Sequence, residues 1–201
     1  MFCNKTHLSR HLYYDGTDER EREVKPVPEK ERQDLIEQAV KGDTHAFAEL
    51  YSEIYKELYY FALSNLGDPT EAEDAVSDTI LDAFQGIKKL KKAGSFSSWI
   101  FTILNAKIKK HKKHFAELRL SDGEEPLETM AASGSEYQNI EIYCDLAQLS
   151  DEERQCITLS CICGYKGEEI AQITGINPST VRSHISRART KIKKLNAEQI
   201  Y

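Results

Sequence analysis

Arg182, Ser186, Arg189 and Lys193 step along the chain by four, three and four, with Ser183 and Arg187 beside them. On a helix this spacing gathers guanidinium, ammonium and hydroxyl groups on one face. The chemistry of such a face is polyanion recognition, with Arg reaching base edges and Lys or Arg meeting phosphates. A second set places Phe96, Trp99 and Phe101 between lysines 88, 89, 91 and 92 on one side and lysines 107, 109, 110, 112 and 113 on the other. Aromatic rings stack on unpaired bases while nearby cations hold the backbone, so this set suits melted nucleic acid. Trp99 opens an amphipathic pattern and is expected to be mainly structural. The third set is acidic: Glu71, Asp74, Asp78 and Asp82 lie three, four and four apart, a strip on which a basic partner can dock. Asp78 and Asp82 stand too far along their helix for its macrodipole to explain them. Solvated helix faces are the plain alternative for all three sets.

Other residues have the types but not the setting for covalent or metal chemistry. Cys3, His7 and His11 are four apart, as zinc ligands on a helix would be, yet they lie in a tail without a fourth ligand nearby. Cys156, Cys161 and Cys163 have a spacing poor for a zinc knuckle and are expected to be buried as small apolar residues. Cys3 and Cys144 complete an odd number of cysteines, five, which speaks against a disulfide framework. No nucleophile elbow, phosphate-binding glycine loop or paired carboxylate in an apolar setting occurs. The expectation is no catalytic residue, metal or cofactor, and therefore no enzyme.

The 201 residues, 40% hydrophobic and 30% charged, allow one domain or two small ones. They are too few for a (β/α)₈ barrel, which takes about 250. No apolar run approaches the roughly 18 residues of a membrane span, and the first 33 residues balance seven bases against seven acids with no apolar signal core. A cytoplasmic protein is expected. Its net charge of −6 hides a segregation. Residues 68–82 carry six acids and no base, residues 83–116 nine lysines and no acid, residues 117–153 eleven acids against Arg119 alone, and residues 170–197 six bases and no acid. Two separate basic blocks on an acidic chain indicate two polyanion surfaces.

The elements that position these residues read as helices throughout. Residues 1–33 read as a mobile tail or an isolated short element, in which Lys25-Pro26-Val27-Pro28 cannot continue a helix. From Gln33 to Leu66 runs a helical pattern interrupted near Lys41-Gly42-Asp43, with Phe47, Leu50, Tyr51, Ile54, Leu58, Phe61 and Ala62 on one buried face. Asp68, Pro69 and Glu71 form a start signal with capping-box spacing for the acidic helix. A further helix runs through His114 with Ile100, Ile103, Leu104 and Ile108 inward, closing a first domain over residues 34–114. Residues 115–138 read as a flexible acidic linker, and residues 139–197 as a second helical domain. In that second domain Gly167 to Arg182 has the grammar of a helix-turn-helix. Ile170, Ala171 and Ile173 are buried, Gly175 turns, Ile176 plugs the angle, Asn177 caps and Pro178 starts a helix whose Val181, Ile185, Ala188 and Ile192 face inward. The fold class is all-α, two small domains with a helix-turn-helix in the second.

From about Gln33 to Leu195 the chain resembles a bacterial RNA polymerase sigma factor of the extracytoplasmic-function class. Asp68 to Thr79 is similar to the family's second-region helix that binds the coiled coil of the largest polymerase subunit. Phe96 to Leu104 is similar to the stretch that opens and reads the minus-ten element, and Gly164 to Lys194 to the fourth-region module that reads the minus-thirty-five element. The resemblance implies core RNA polymerase and promoter DNA as partners, admits an anti-sigma factor, and gives no role to a membrane. It places polymerase binding on Glu71, Asp74, Asp78 and Asp82. Minus-ten contacts fall on Phe96, Ser97, Trp99, Asn105, Lys109, Lys110 and Lys113, and minus-thirty-five contacts on Ser179, Thr180, Arg182, Ser183, Arg187, Arg189 and Lys193. Ser97 stands where the family commonly has a basic residue, Asn105 is one place before the family's common asparagine, and His184 stands where Arg is frequent. The alternative is a helix-turn-helix transcriptional regulator whose N-terminal domain senses or dimerises.

Overall fold

The computed structural model describes residues 28–90, 92–122 and 145–198, and the architecture is helical throughout these residues. Cys3, His7, His11, Cys144 and most of the expected linker lie outside the described residues. Pro28, with ψ 141°, precedes α1 (Glu29–Val40), its carbonyl accepting from the Arg32 N–H at 2.9 Å. The helix thus begins four residues earlier than the apolar periodicity suggests, because a proline is a good neighbour for a helix start and a poor one for its interior. Gly42, at φ 103°, makes the turn, and the Asp43 carboxylate accepts from the N–H groups of His45 and Ala46 to cap α2 (Thr44–Leu66). Gly67, left-handed at φ 76°, closes that helix with its N–H on the Leu63 carbonyl.

Asp68 caps α3 (Pro69–Gly86) by accepting from the Glu71 N–H at 2.9 Å. The Glu71 carboxylate is turned to His111 Nδ1 at 2.8 Å, across the seam to the next helix, where the sequence suggested a reciprocal capping bond. Two short 3-10 turns, Ile87–Lys89 and Ala93–Ser95, lead into α4 (Phe96–Asp122). This helix continues eight residues beyond His114, into the stretch expected to be linker: Phe115-Ala116-Glu117-Leu118-Arg119-Leu120 contains good helix formers and no breaker, and Lys113 pairs with Glu117 one turn on. Within residues 145–198 lie α5 (Asp151–Cys161), α6 (Gly167–Thr174) and α7 (Pro178–Glu198).

Phe47, Leu50, Ile54, Leu58 and Phe61 of α2, Ala72, Ala75, Val76 and Ala83 of α3, and Phe96, Ile100, Phe101, Leu104 and Ile108 of α4 form the main core. Cys156 and Leu159 of α5, Ile170 and Ile173 of α6 and Val181 of α7 belong to the same buried cluster. A smaller cluster, Leu146, Leu149, Ile157, Ala188 and Ile192, holds α5 against α7. The two modules are therefore packed on each other through α4. Its apolar and buried positions, from Ile103 through Ile100, Leu104 and Ile108 to Phe101 and Asn105, cover about half the helix circumference, wider than a helix buried on one side needs.

Candidate nucleic-acid interface

Helix α7 is positioned from its first turn. Gly175 (φ 77°) ends α6, the Thr174 hydroxyl accepts from the Ile176 N–H, and Asn177 Oδ1 accepts from both the N–H and the hydroxyl of Ser179. Val181, Ala188 and Ile192 are buried, which turns Ser179, Thr180, Arg182, Ser183, Ser186 and Arg187 outward around one shallow groove. All seven residues expected to meet the minus-thirty-five element are exposed on this helix.

One residue that anchors this face was not singled out in the sequence. Glu153, with 6% of its side chain exposed, completes a reciprocal capping box with Ser150 at the start of α5 and receives Lys191 Nζ at 2.7 Å and Arg187 Nε at 3.8 Å. Burial raises the pKa of its carboxyl, but Lys191, the Ser150 N–H and Arg187 together outweigh burial and hold it below its usual value. The Ser150-x-x-Glu153 spacing is a recognisable capping signal, whereas the link to Lys191, 38 residues away, is a product of the fold. Glu153→Ala is expected to destabilise the C-terminal module by about 1–3 kcal/mol, measured by urea unfolding at pH 7. Because the folded carboxyl titrates below its unfolded value, this contribution is present above the unfolded pKa and is lost as pH falls through the folded one. The deficit of the variant therefore shrinks toward low pH.

The residues expected to meet the minus-ten element separate into two groups. Lys109, Lys110 and Lys113 are exposed along α4. Phe96 is 1% exposed and is a core side chain in this arrangement; Trp99 is half-buried, 6.2 Å from the Phe96 ring and close enough to Gly86 that a Cβ there would meet its ring at 3.3 Å. Ser97 accepts from Arg32 Nη2 at 2.6 Å. Asn105 is 3% exposed and donates to the Ile173 carbonyl of α6 at 3.4 Å.

Within the acidic strip, Asp82 and Asp78 are bridged by Lys107 Nζ at 2.6 and 3.7 Å, and Glu71 is engaged by His111. The Lys107 hydrogen bond to Asp82 keeps its ammonium above the usual lysine range. Asp74 has no ion-pair partner among the described residues. Beside these carboxylates stand Leu81, 61% exposed, and Phe84, 46% exposed with its ring edge-on to Phe47. The strip is thus acidic and apolar together, a composition suited to protein docking, and the apolar part escapes a reading that counts only charge.

Cys156 is buried, its thiol raised to about 11 by burial and then by Glu152, in keeping with a packing role. Cys161 and Cys163 are only partly buried. Among the described residues no helix is long and apolar enough to cross a membrane.

Comparison with known proteins bears on both modules. Residues 50–114 match the family model for sigma-70 region 2 and residues 140–192 the model for sigma-70, region 4, together well over half of the chain. Similar proteins include the ECF RNA polymerase sigma factor EcfG of Rhodopseudomonas palustris, 28% identical over 138 residues that span 67% of this chain and 76% of the relative. SigW of Bacillus subtilis, also named an ECF RNA polymerase sigma factor, is 28% identical over 175 residues, 79% of this chain and 93% of the relative. Among solved structures, RpoE of Bartonella quintana in complex with the anti-sigma factor NepR matches with a TM-score of 0.63 at 27% identity, covering 75% of this chain and 96% of that one. CnrH in complex with the cytosolic domain of CnrY shares the fold with a TM-score of 0.64 at 24% identity, covering 83% and 97%.

Proposed function

Because the chain belongs to the sigma-70 family of RNA polymerase initiation factors, in the extracytoplasmic-function class with regions 2 and 4, we propose a specific division of labour among its surfaces. It is a transcription initiation factor that binds core RNA polymerase and directs it to promoters. Helix α7 reads the minus-thirty-five element, with Ser179, Thr180, Arg182 and Ser183 near base edges and Arg187, Arg189 and Lys193 on the phosphates. The observation that carries this is the capped, acid-free outward face of α7. The exposed row Lys109, Lys110 and Lys113 holds the backbone of the melted minus-ten strand, with Ser97 and Trp99 supplying polar and stacking groups close by. Phe96 and Asn105 support that site from the core. The strip of Asp74, Asp78 and Leu81 is the polymerase-docking face. An anti-sigma factor is a further partner of the kind that the similar RpoE is bound to.

Promoter binding by the reconstituted holoenzyme tests the division. Arg182→Ala is expected to cost about 1–3 kcal/mol on the preferred minus-thirty-five sequence and to relax discrimination at one base position. Lys193→Ala should weaken all sequences alike and lower the salt slope by about one. Equal, sequence-independent losses from both substitutions would refute base reading by Arg182.

A further inference from the structure

The outward face of α7 has two basic flanks. Arg182, Arg189 and Lys193 form one, Arg187 and Lys191 the other, and Ser179, Ser183, Ser186 and Thr190 run between them, all exposed. The flanks differ in what holds them. Arg182 and Lys193 have no ion-pair partner among the described residues, whereas Arg187 and Lys191 share one carboxylate that comes from another helix. Glu153 of α5, its side chain 6% exposed, takes Lys191 Nζ on Oε2 at 2.7 Å and stands with Oε1 3.8 Å from Arg187 Nε. Arg187 has a second hold within its own helix, where Nη2 lies 3.2 Å from His184 Nδ1. A guanidinium only donates, so in this contact Nδ1 accepts and the imidazole proton sits on Nε2. Arg187 is thus gripped at two of its three nitrogens while 59% of its side chain stays exposed. The carboxylate subtracts charge from a surface that attracts phosphates, and so weakens attraction to DNA of any sequence. What it supplies in return is geometry, because a side chain already set in direction gives up less freedom when it binds.

We propose that Glu153, together with His184, is a positioning residue for promoter recognition: it aims the Arg187 fork and cancels part of the charge on that flank, so that Arg187 favours one register on the promoter over any phosphate within reach. The proposal rests on the phosphate role given to Arg187 above. Phosphate contacts fix the register of a protein on the duplex, and they do so only if their donors point one way. In a complex with DNA of no particular sequence, a loose cation serves as well as an aimed one. Glu153 therefore trades general affinity for discrimination. Glu153→Gln separates the two effects, because it removes the charge and keeps the capping box: Gln at that place accepts from the Ser150 N–H as Glu153 does.

Holoenzyme reconstituted with the full chain, titrated with salt on its preferred promoter and on a duplex lacking the minus-thirty-five element, measures both quantities. Glu153→Gln is expected to bind the duplex without the element more tightly at low salt, with a salt slope steeper by about one. Its discrimination between the two DNAs should fall about tenfold. His184→Ala should lose several-fold in discrimination with the slope unchanged. In an Arg187→Ala background neither substitution should lower discrimination further, since no fork is left to aim. A role in folding alone gives a different pattern: weakening on both DNAs alike, whether or not Arg187 is present. Unchanged discrimination in Glu153→Gln, or a loss of the same size with and without Arg187, overturns the proposal. Should urea unfolding show that Glu153→Gln does not fold, His184→Ala and its combination with Arg187→Ala decide by the same criterion. Promoter binding by Arg187→Ala equal to wild type would instead strike the phosphate role of Arg187, whereas a loss in Arg187→Ala without one in Glu153→Gln would strike the positioning alone.

Discussion

Reversing Asp74 and Asp78 together to lysine is expected to weaken binding to core RNA polymerase about 100-fold, a loss near 3 kcal/mol, with the fold intact. Both carboxylates are exposed on α3, and the apolar stripe that secures the helix, Ala72, Ala75, Val76, Thr79 and Ala83, lies on its other side. Among the described residues Asp74 has no ion-pair partner to lose, and Asp78 gives up the longer of the two Lys107 contacts, 3.7 Å against 2.6 Å to Asp82. Two like charges placed against a basic partner cost far more than two exposed ion pairs contribute. Co-purification and surface plasmon resonance with core enzyme measure the effect, and circular dichroism with thermal melting checks the fold. Unchanged affinity would remove the docking role of α3.

Phe101→Ala carries the largest expected effect on stability. The side chain is fully buried, stands edge-on to Phe61 and Tyr165, and so supports both modules at once. Its removal should cost about 3–5 kcal/mol, the transfer of a phenyl ring plus a cavity that two rigid aromatic neighbours cannot fill. For a chain of this size that corresponds to a melting point lower by roughly 10 °C. Urea unfolding followed at Trp99 and by far-UV circular dichroism should show the loss with both probes. A deficit under about 1 kcal/mol, or one confined to a single probe, would mean that the modules do not share a core through this ring.

Most of the helical architecture was legible in the chain because its boundaries are made by local chemistry. Asp43, Asp68, Ser150 and Asn177 cap, and Gly67 and Gly175 stop, each through bonds that span four residues or fewer. The outward face of α7 was legible for the same reason, since burial of Val181, Ala188 and Ile192 leaves a helix no other way to turn its arginines. What escaped depends on distance. That α4 is covered on two sides requires Ile173 to meet Asn105, 68 residues earlier, and periodicity records which residues are apolar but not what covers them. The broad apolar arc of α4 was the available sign. Phe96 reads as an aromatic among lysines and Asn105 enters through the family resemblance, and in this arrangement the core takes both. Glu153 was counted among the acids of an acidic stretch, whereas its neighbours in space are Lys191 and Arg187. Leu81 and Phe84 passed unremarked because an exposed apolar residue has no signature until its helix is docked.

This chain confers promoter-specific initiation on core RNA polymerase. Run-off transcription with purified core enzyme on a library of promoters measures that activity. The expected result is that transcripts arise only when the protein is added, from promoters sharing one minus-thirty-five and one minus-ten sequence, and that Arg182→Ala alters the selected minus-thirty-five base. Transcription no greater than with core enzyme alone, or transcripts without a common promoter sequence, would contradict it.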